Sequence, residues 1–330
     1  MYNYIIEIVQ GGKQMRKEDN IRRPAQTKRK IVVFATLVIA FIAIGAFIST
    51  KFIKGDNDIS ASAGTNTNSE DNKEEVKEPE KPKLDNSGYT TLEEDPNAED
   101  AHMVSETLNG LLTGTKTFPV RTDGKKVVYL TFDDGPSTTN TPKILDILKE
   151  NNIKGTFFTI GTSIDKNEEA KEILKRTVKE GHAIANHTYS HDYKYLYPNR
   201  VINVDNFMAD IEKNNQSLRN VLGKDFSTRT IRFPGGYWSW NGRAPMKERM
   251  IAEGLCNIEW NALNKDAEGA HKNAAQLVQE TKNTVEALGP NADFVVLLMH
   301  DTYGKEETVK ALPEIIEYFK SKGFEFKSMK

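Results

Sequence analysis

The stretch that decides the fold is Lys125–Ser137, KKVVYLTFDDGPS. Its apolar run from Val127 to Phe132 reads as a buried strand. The strand ends in adjacent carboxylates, Asp133 and Asp134, followed by the turn pair Gly135-Pro136. Two acids at the end of a buried strand repel each other unless positive charge lies between or beside them. A metal ion, a buried arginine, or both would relieve that repulsion.

Further along, strand-like runs alternate with amphipathic helical patterns. Strands are expected at 127–132, 153–160, 182–186, 229–233, 255–260, 294–299 and 324–328. Helices are expected at 142–150 and near 167–180, 203–222, 244–253, 273–288 and 307–321. Pro142 suits a first helical turn, and Gly181 and Gly323 suit C-terminal caps. Such βα repetition predicts an α/β domain with a parallel sheet. A distorted (β/α)7-type barrel over 125–330 is favoured over an open doubly wound sheet. The reason is that unusual polar residues collect at the C-terminal ends of successive strands, where a barrel builds its site. They are Asp133 and Asp134, then His187 and His191, then Arg232, then Asn261, Asn264 and Asp266, then His300-Asp301.

His187 and His191 are four residues apart, and on a helical turn they would share a face and suit one metal ion. That spacing is weak alone, but four of the six histidines lie in or beside these motifs. With one of the two aspartates they make three protein ligands, leaving a position open as in a catalytic site. Arg232 is either a structural ion pair or the partner of the unligated aspartate, and here the two roles converge. Gly235 and Gly236 allow close backbone approach, and an N–H there would serve an oxyanion. His300 is either a satisfied core residue or a general acid, with Asp266 placed to orient it. Tyr237, Trp238 and Trp240 are either loop packing or a stacking wall for a sugar ring.

The net charge of −2 over 330 residues gives no reason to expect a nucleic-acid partner. The single cysteine, Cys256, allows no intramolecular disulfide and reads as a small buried side chain. Residues 1–30 are basic, and 31–53 read as a membrane-spanning anchor with a cytoplasmic N-terminus. A cleavable signal peptide is the alternative, but the apolar run exceeds a signal core and Ala61-Ser62-Ala63 lies well beyond it. Residues 54–97 are polar and charged and are expected to form a disordered tether. Residues 98–124 are a lead-in without a clear pattern. Gln10–Met15 could be encoded by a ribosome-binding sequence before an ATG, so Met15 is the expected start and 1–14 are expected to be untranslated.

Together these motifs resemble the polysaccharide deacetylases with a NodB homology domain, carbohydrate esterase family 4. TFDDGP at 131–136, HTYSH at 187–191, RFPGG at 232–236 and LMH at 298–300 match the family's first, second, third and fifth motifs in order. The resemblance implies Asp133 as catalytic base, with Asp134, His187 and His191 as metal ligands. It implies Arg232 as partner of the base, the Gly235 N–H in the oxyanion hole, His300 as general acid and Asp266 as the carboxylate that tunes it. The fourth motif departs: Ala267 stands for a tryptophan and Leu263 for an aspartate. One aromatic wall is therefore missing, with Trp238 or Trp240 as its expected substitute. The implied activity is metal-dependent N-deacetylation of N-acetylglucosamine in peptidoglycan, releasing acetate. Zinc is the expected ion, with cobalt, manganese or nickel as alternatives. The rival expectations are a deacetylase of another polymer or a catalytically silent wall-binding module. The catalytic domain is expected to be a monomer outside the cell, tethered to the membrane by 31–53.

Overall fold

The computed structural model describes residues 89–330. The expected anchor, most of the tether and the expected start site lie outside them. The tether's last residues are not loose. Residues 89–97 fold back onto the chain's C-terminus, where the Lys330 ammonium meets the Asp95 carboxylate at 2.6 Å and the Ser328 N–H donates to the Asn97 carbonyl at 2.8 Å.

The described chain opens with β1 (Ala98–Glu99) and α1 (Ala101–Thr113). Then come β2 (Lys126–Asp133), α2 (Thr141–Glu150), β3 (Thr156–Thr159), α3 (Gly161–Asp165), α4 (Glu168–Lys179) and β4 (Ala183–Asn186). The middle holds α5 (Tyr193–Leu196), α6 (Val204–Leu222), β5 (Thr230–Ile231), α7 (Arg243–Ala252) and β6 (Cys256–Asn257). The last part is β7 (Ala262–Leu263), α8 (Ala274–Glu286), β8 (Phe294–His300), α9 (Glu306–Ser321), β9 (Phe324–Phe326) and β10 (Ser328–Met329). Among the described residues no helix is long and apolar enough to cross a membrane.

The main sheet is parallel throughout, in the order β6-β5-β4-β3-β2-β8-β7, with β9 pairing the start of β2. The barrel expectation needs correction: β6 and β7 are edges that do not pair with each other, so the sheet curls without closing. The expected strand 255–260 is cut short for the same reason. Residues 258–261 carry the chain across the gap from one edge to the other, too short a link for a helix.

Strand periodicity sorts the core into two. Val127 and Tyr129 of β2, Phe158 of β3, Ala185 of β4 and Phe294, Val296 and Leu298 of β8 belong to one apolar cluster. Their neighbours Val128, Leu130, Phe157, Ile184, Val295 and Leu297 belong to another, which α2, α4, α6, α8 and α9 cover. The first cluster lines the face that α1 covers, through Ala101, Val104 and Leu108. The lead-in is thus a helix that fills the curled sheet. The Asp100 side chain caps its start on the His102 N–H, and Gly114 ends it at φ 72°. Cys256 is free and buried in the same cluster.

Candidate active site

The α1-facing parity of the strands continues to their C-terminal ends and turns polar there. On β2 it runs Val127, Tyr129, Thr131, Asp133, and on β8 it runs Phe294, Val296, Leu298, His300. The β2–β8 register sets Asp133 directly beside His300. Asp133 therefore points into the concave face because it is the last residue of a strand. Asp134 escapes the alternation because its backbone enters the left-handed region, at φ 72°.

Arg232 is fully buried and bridges the gap left by the open sheet. Its Nε donates to the Ile258 carbonyl at 2.8 Å and its NH2 to the Glu259 carbonyl at 3.1 Å, which satisfies the segment crossing the gap. Its NH1 donates to Thr131 at 2.9 Å and to Asp133 Oδ1 at 2.7 Å. The guanidinium also lies 3.9 Å over the Phe158 ring. Burial raises the Asp133 carboxyl above its ordinary range, and Arg232 works against that rise. A carboxylate so placed is fixed in direction and more basic than an exposed one.

Asp134 Oδ1 lies 3.4 Å from His187 Nε2 and 3.4 Å from His191 Nε2. It is buried and accepts no hydrogen bond. An orphaned buried carboxylate oxygen facing two imidazole nitrogens fits a cation. Ligands bound tetrahedrally at about 2.0–2.1 Å stand about 3.3 Å apart, close to the separations seen. His187 Nδ1 lies 2.8 Å from the Arg232 carbonyl, an acceptor only, so Nδ1 carries the proton and the Nε2 lone pair faces Asp134. Burial, reinforced by His191, pushes His187 down to about 3 and keeps it neutral, as a ligand must be. The three residues therefore fit a divalent metal ion.

The histidines are not on a helical turn, which corrects the sequence expectation. Residues 187–192 form an irregular loop with Thr188 at φ 68° and His191 at φ 53°. Asp210 on α6 holds it, its Oδ2 accepting from the Tyr189 N–H, the Ser190 N–H and the Ser190 hydroxyl at 3.0, 2.8 and 2.9 Å. Asp210 was missed by sequence reasoning. A lone acid in a helix carries no signal until the loop packs on it.

His300 Nδ1 lies 2.7 Å from Asp266 Oδ1, and its backbone N–H donates to Asp266 Oδ2 at 3.0 Å. Thr308 donates to the same Oδ2 at 2.7 Å. Burial opposes charge on His300, but Asp266 outweighs it and raises the imidazole to about 9. The histidine is thus held protonated through neutral pH. Next to it Asp301 is buried and pushed up to about 7 by that burial. Its carboxylate stands 2.2–2.6 Å from where a Cβ at Gly135 would lie, so the turn after Asp134 admits only glycine.

Asp133, Asp134, His187, His191, Gly235 and His300 line one cleft of about 570 Å³. Gly235 has φ 75°, and its N–H has no acceptor among the described residues. The expected aromatic wall needs correction. Tyr237, Trp238 and Trp240 do not line the cleft. Tyr237 and Trp240 are buried in an apolar cluster with Phe207 and Phe233, and Trp238 packs beside Tyr237 and Arg243. The aromatic rings that do line the cleft include Tyr193 and Trp260, with Leu263 and Ala267 on the side of the departed fourth motif.

The family described as polysaccharide deacetylase matches residues 120–251. A peptidoglycan-N-acetylglucosamine deacetylase of Bacillus cereus is 31% identical over 223 residues, covering 64% of this chain and 73% of that protein. A second protein of that name from Bacillus cereus is 35% identical over 205 residues, covering 61% of this chain and 66% of its own length. Among solved structures, a Streptococcus mutans CE4 esterase superposes with a TM-score of 0.63 at 34% identity, covering 71% of this chain and 92% of that one.

Proposed function

Because the chain belongs to the polysaccharide deacetylase family, CE4, we propose that it removes acetyl groups from N-acetylglucosamine in peptidoglycan. The observation that carries the deacetylase reading is the division of the paired aspartates. Asp133 is bound to Arg232, Asp134 faces His187 and His191, and His300 stands across the same cleft. The peptidoglycan reading is supported by the relatives' names and by the apolar run at 31–50 within the expected anchor, which would hold the domain outside the cell beside the wall.

Asp134, His187 and His191 would hold the divalent ion, taken as zinc. When bound there, the ion supplies Lewis acidity at the acetamide carbonyl and lowers the pKa of water. Asp133, aimed by Arg232, accepts the proton of the attacking water. The Gly235 N–H donates to the oxygen of the tetrahedral carbon. His300, kept charged by Asp266, passes its proton to the departing nitrogen. Acetamide and water thereby become acetate and a free amine.

The test is acetate release by the zinc-loaded protein from purified peptidoglycan, chitin oligomers and O-acetyl xylan, each with and without chelator. Chelator-sensitive release from peptidoglycan, with wall fragments each lighter by an acetyl group, is expected. Release only from another polymer would overturn the peptidoglycan assignment, and release from none would overturn the deacetylase reading.

A further inference from the structure

Tyr193 opens α5, where the Asp192 side chain caps the Lys194 N–H at 2.9 Å and fixes the backbone. Its ring is packed on three aromatic neighbours. It lies 5.3 Å from His191 at 39°, meets Trp240 edge-on at 5.2 Å and stands 6.0 Å from Tyr197. Tyr197 in turn stacks on Trp240 at 4.0 Å. Despite this packing the residue is 43% exposed and lines the cleft. Its hydroxyl makes no hydrogen bond with the described residues. The oxygen sits 3.0 Å from the point where a Cβ at Gly235 would stand, beside the backbone N–H that also lacks an acceptor. Two unpaired donors therefore converge in the cleft, one on the glycine turn and one on a braced ring.

A pyranose presents hydroxyl and acetamido oxygens along its rim, and an amphipathic ring with a polar tip matches that chemistry. We propose that Tyr193 is a substrate-binding residue, its hydroxyl donating to an oxygen of the sugar that carries the scissile acetamide. The proposal rests on the deacetylase reading. Gly235 is its counterpart: a side chain there would meet the phenol at 3.0–3.3 Å and Trp240 at 3.2 Å, so the glycine makes room for the tyrosine. Tyr193 lies just outside the HTYSH motif and meets Gly235 only in the folded chain, so no local pattern marks it.

The competing explanation is that Tyr193 merely braces His191. Tyr193→Phe separates the two, since it keeps every ring contact and removes only the hydroxyl. The zinc-loaded parent and variant are compared on N-acetylglucosamine oligomers by acetate release, and zinc affinity is measured by competition titration. The expected result is a KM raised about 3–10-fold with kcat and zinc affinity unchanged, as loss of one uniformly bound hydrogen bond requires. An unchanged KM in an active background overturns the proposal while leaving the deacetylase reading intact. Weakened zinc binding in Tyr193→Phe overturns it in favour of a structural role. A zinc-loaded parent inactive on every acetylated glycan removes the deacetylase reading and this proposal with it.

Discussion

The acids Asp133 and Asp134 are neighbours in sequence but occupy different environments. Strand parity sends Asp133 to Arg232, and a left-handed backbone turns Asp134 toward two imidazoles. Which acid meets which cation follows from the φ of one residue. The second pair, Asp266 and His300, makes a pH prediction. In its proposed role as general acid His300 must be protonated, and its value near 9 keeps it so until pH rises through about 9. Activity is therefore expected to fall on the alkaline side near pH 9. In Asp266→Asn that limb of the pH–rate profile should move about 1–3 pH units lower, the usual reach of one nearby opposite charge. An unmoved limb in that variant would sever Asp266 from the proton transfer. The raised value of His300 has a stability sign: its contribution is fully present below pH 6.5, the ordinary value, and is lost as pH rises through about 9.

At the scale of elements, α1 is the piece the sequence left unread. Asp100, Gly114 and the spacing of Ala101, Val104 and Leu108 are all helix signals, but the segment precedes the repeating βα pattern and has no strand of its own to follow. Its place became clear only from the sheet it covers. An open curled sheet exposes an apolar inner face, and α1 fills it. Leu108 is 1% exposed in that cluster. Leu108→Ala is expected to cost about 2–5 kcal/mol of stability, read as a lowered denaturation midpoint, with zinc affinity of the folded protein unchanged. A loss of zinc binding at full stability would place α1 in the site rather than beneath it. The helices of the βα repeats, by contrast, were legible to within a few residues, because amphipathic periodicity and caps are local. The HTYSH loop was misjudged because its shape is imposed from outside by Asp210.

For the whole molecule, the motifs revealed which residues meet, and their order along the chain made a parallel sheet the simplest way to bring them together. Two features escaped that reasoning. Failure of β6 and β7 to pair depends on the four-residue crossing 258–261, whose carbonyls Arg232 satisfies. The burial of Tyr237 and Trp240 depends on α5 and α6 packing over them, which places Tyr193 and Trp260 on the cleft instead. In both cases long-range packing overruled a sensible local reading. The proposed division of labour makes one aspartate a base while its neighbour helps to hold the ion. It is tested most directly by comparing zinc-loaded parent and Asp133→Asn for acetate release from peptidoglycan, with zinc content and denaturation midpoint measured on the same samples. The expected result is a rate lower by about 10²–10⁴-fold with full zinc occupancy and an intact fold. An Asp133→Asn protein that releases acetate at the parent rate, or one that has lost its zinc, would contradict it.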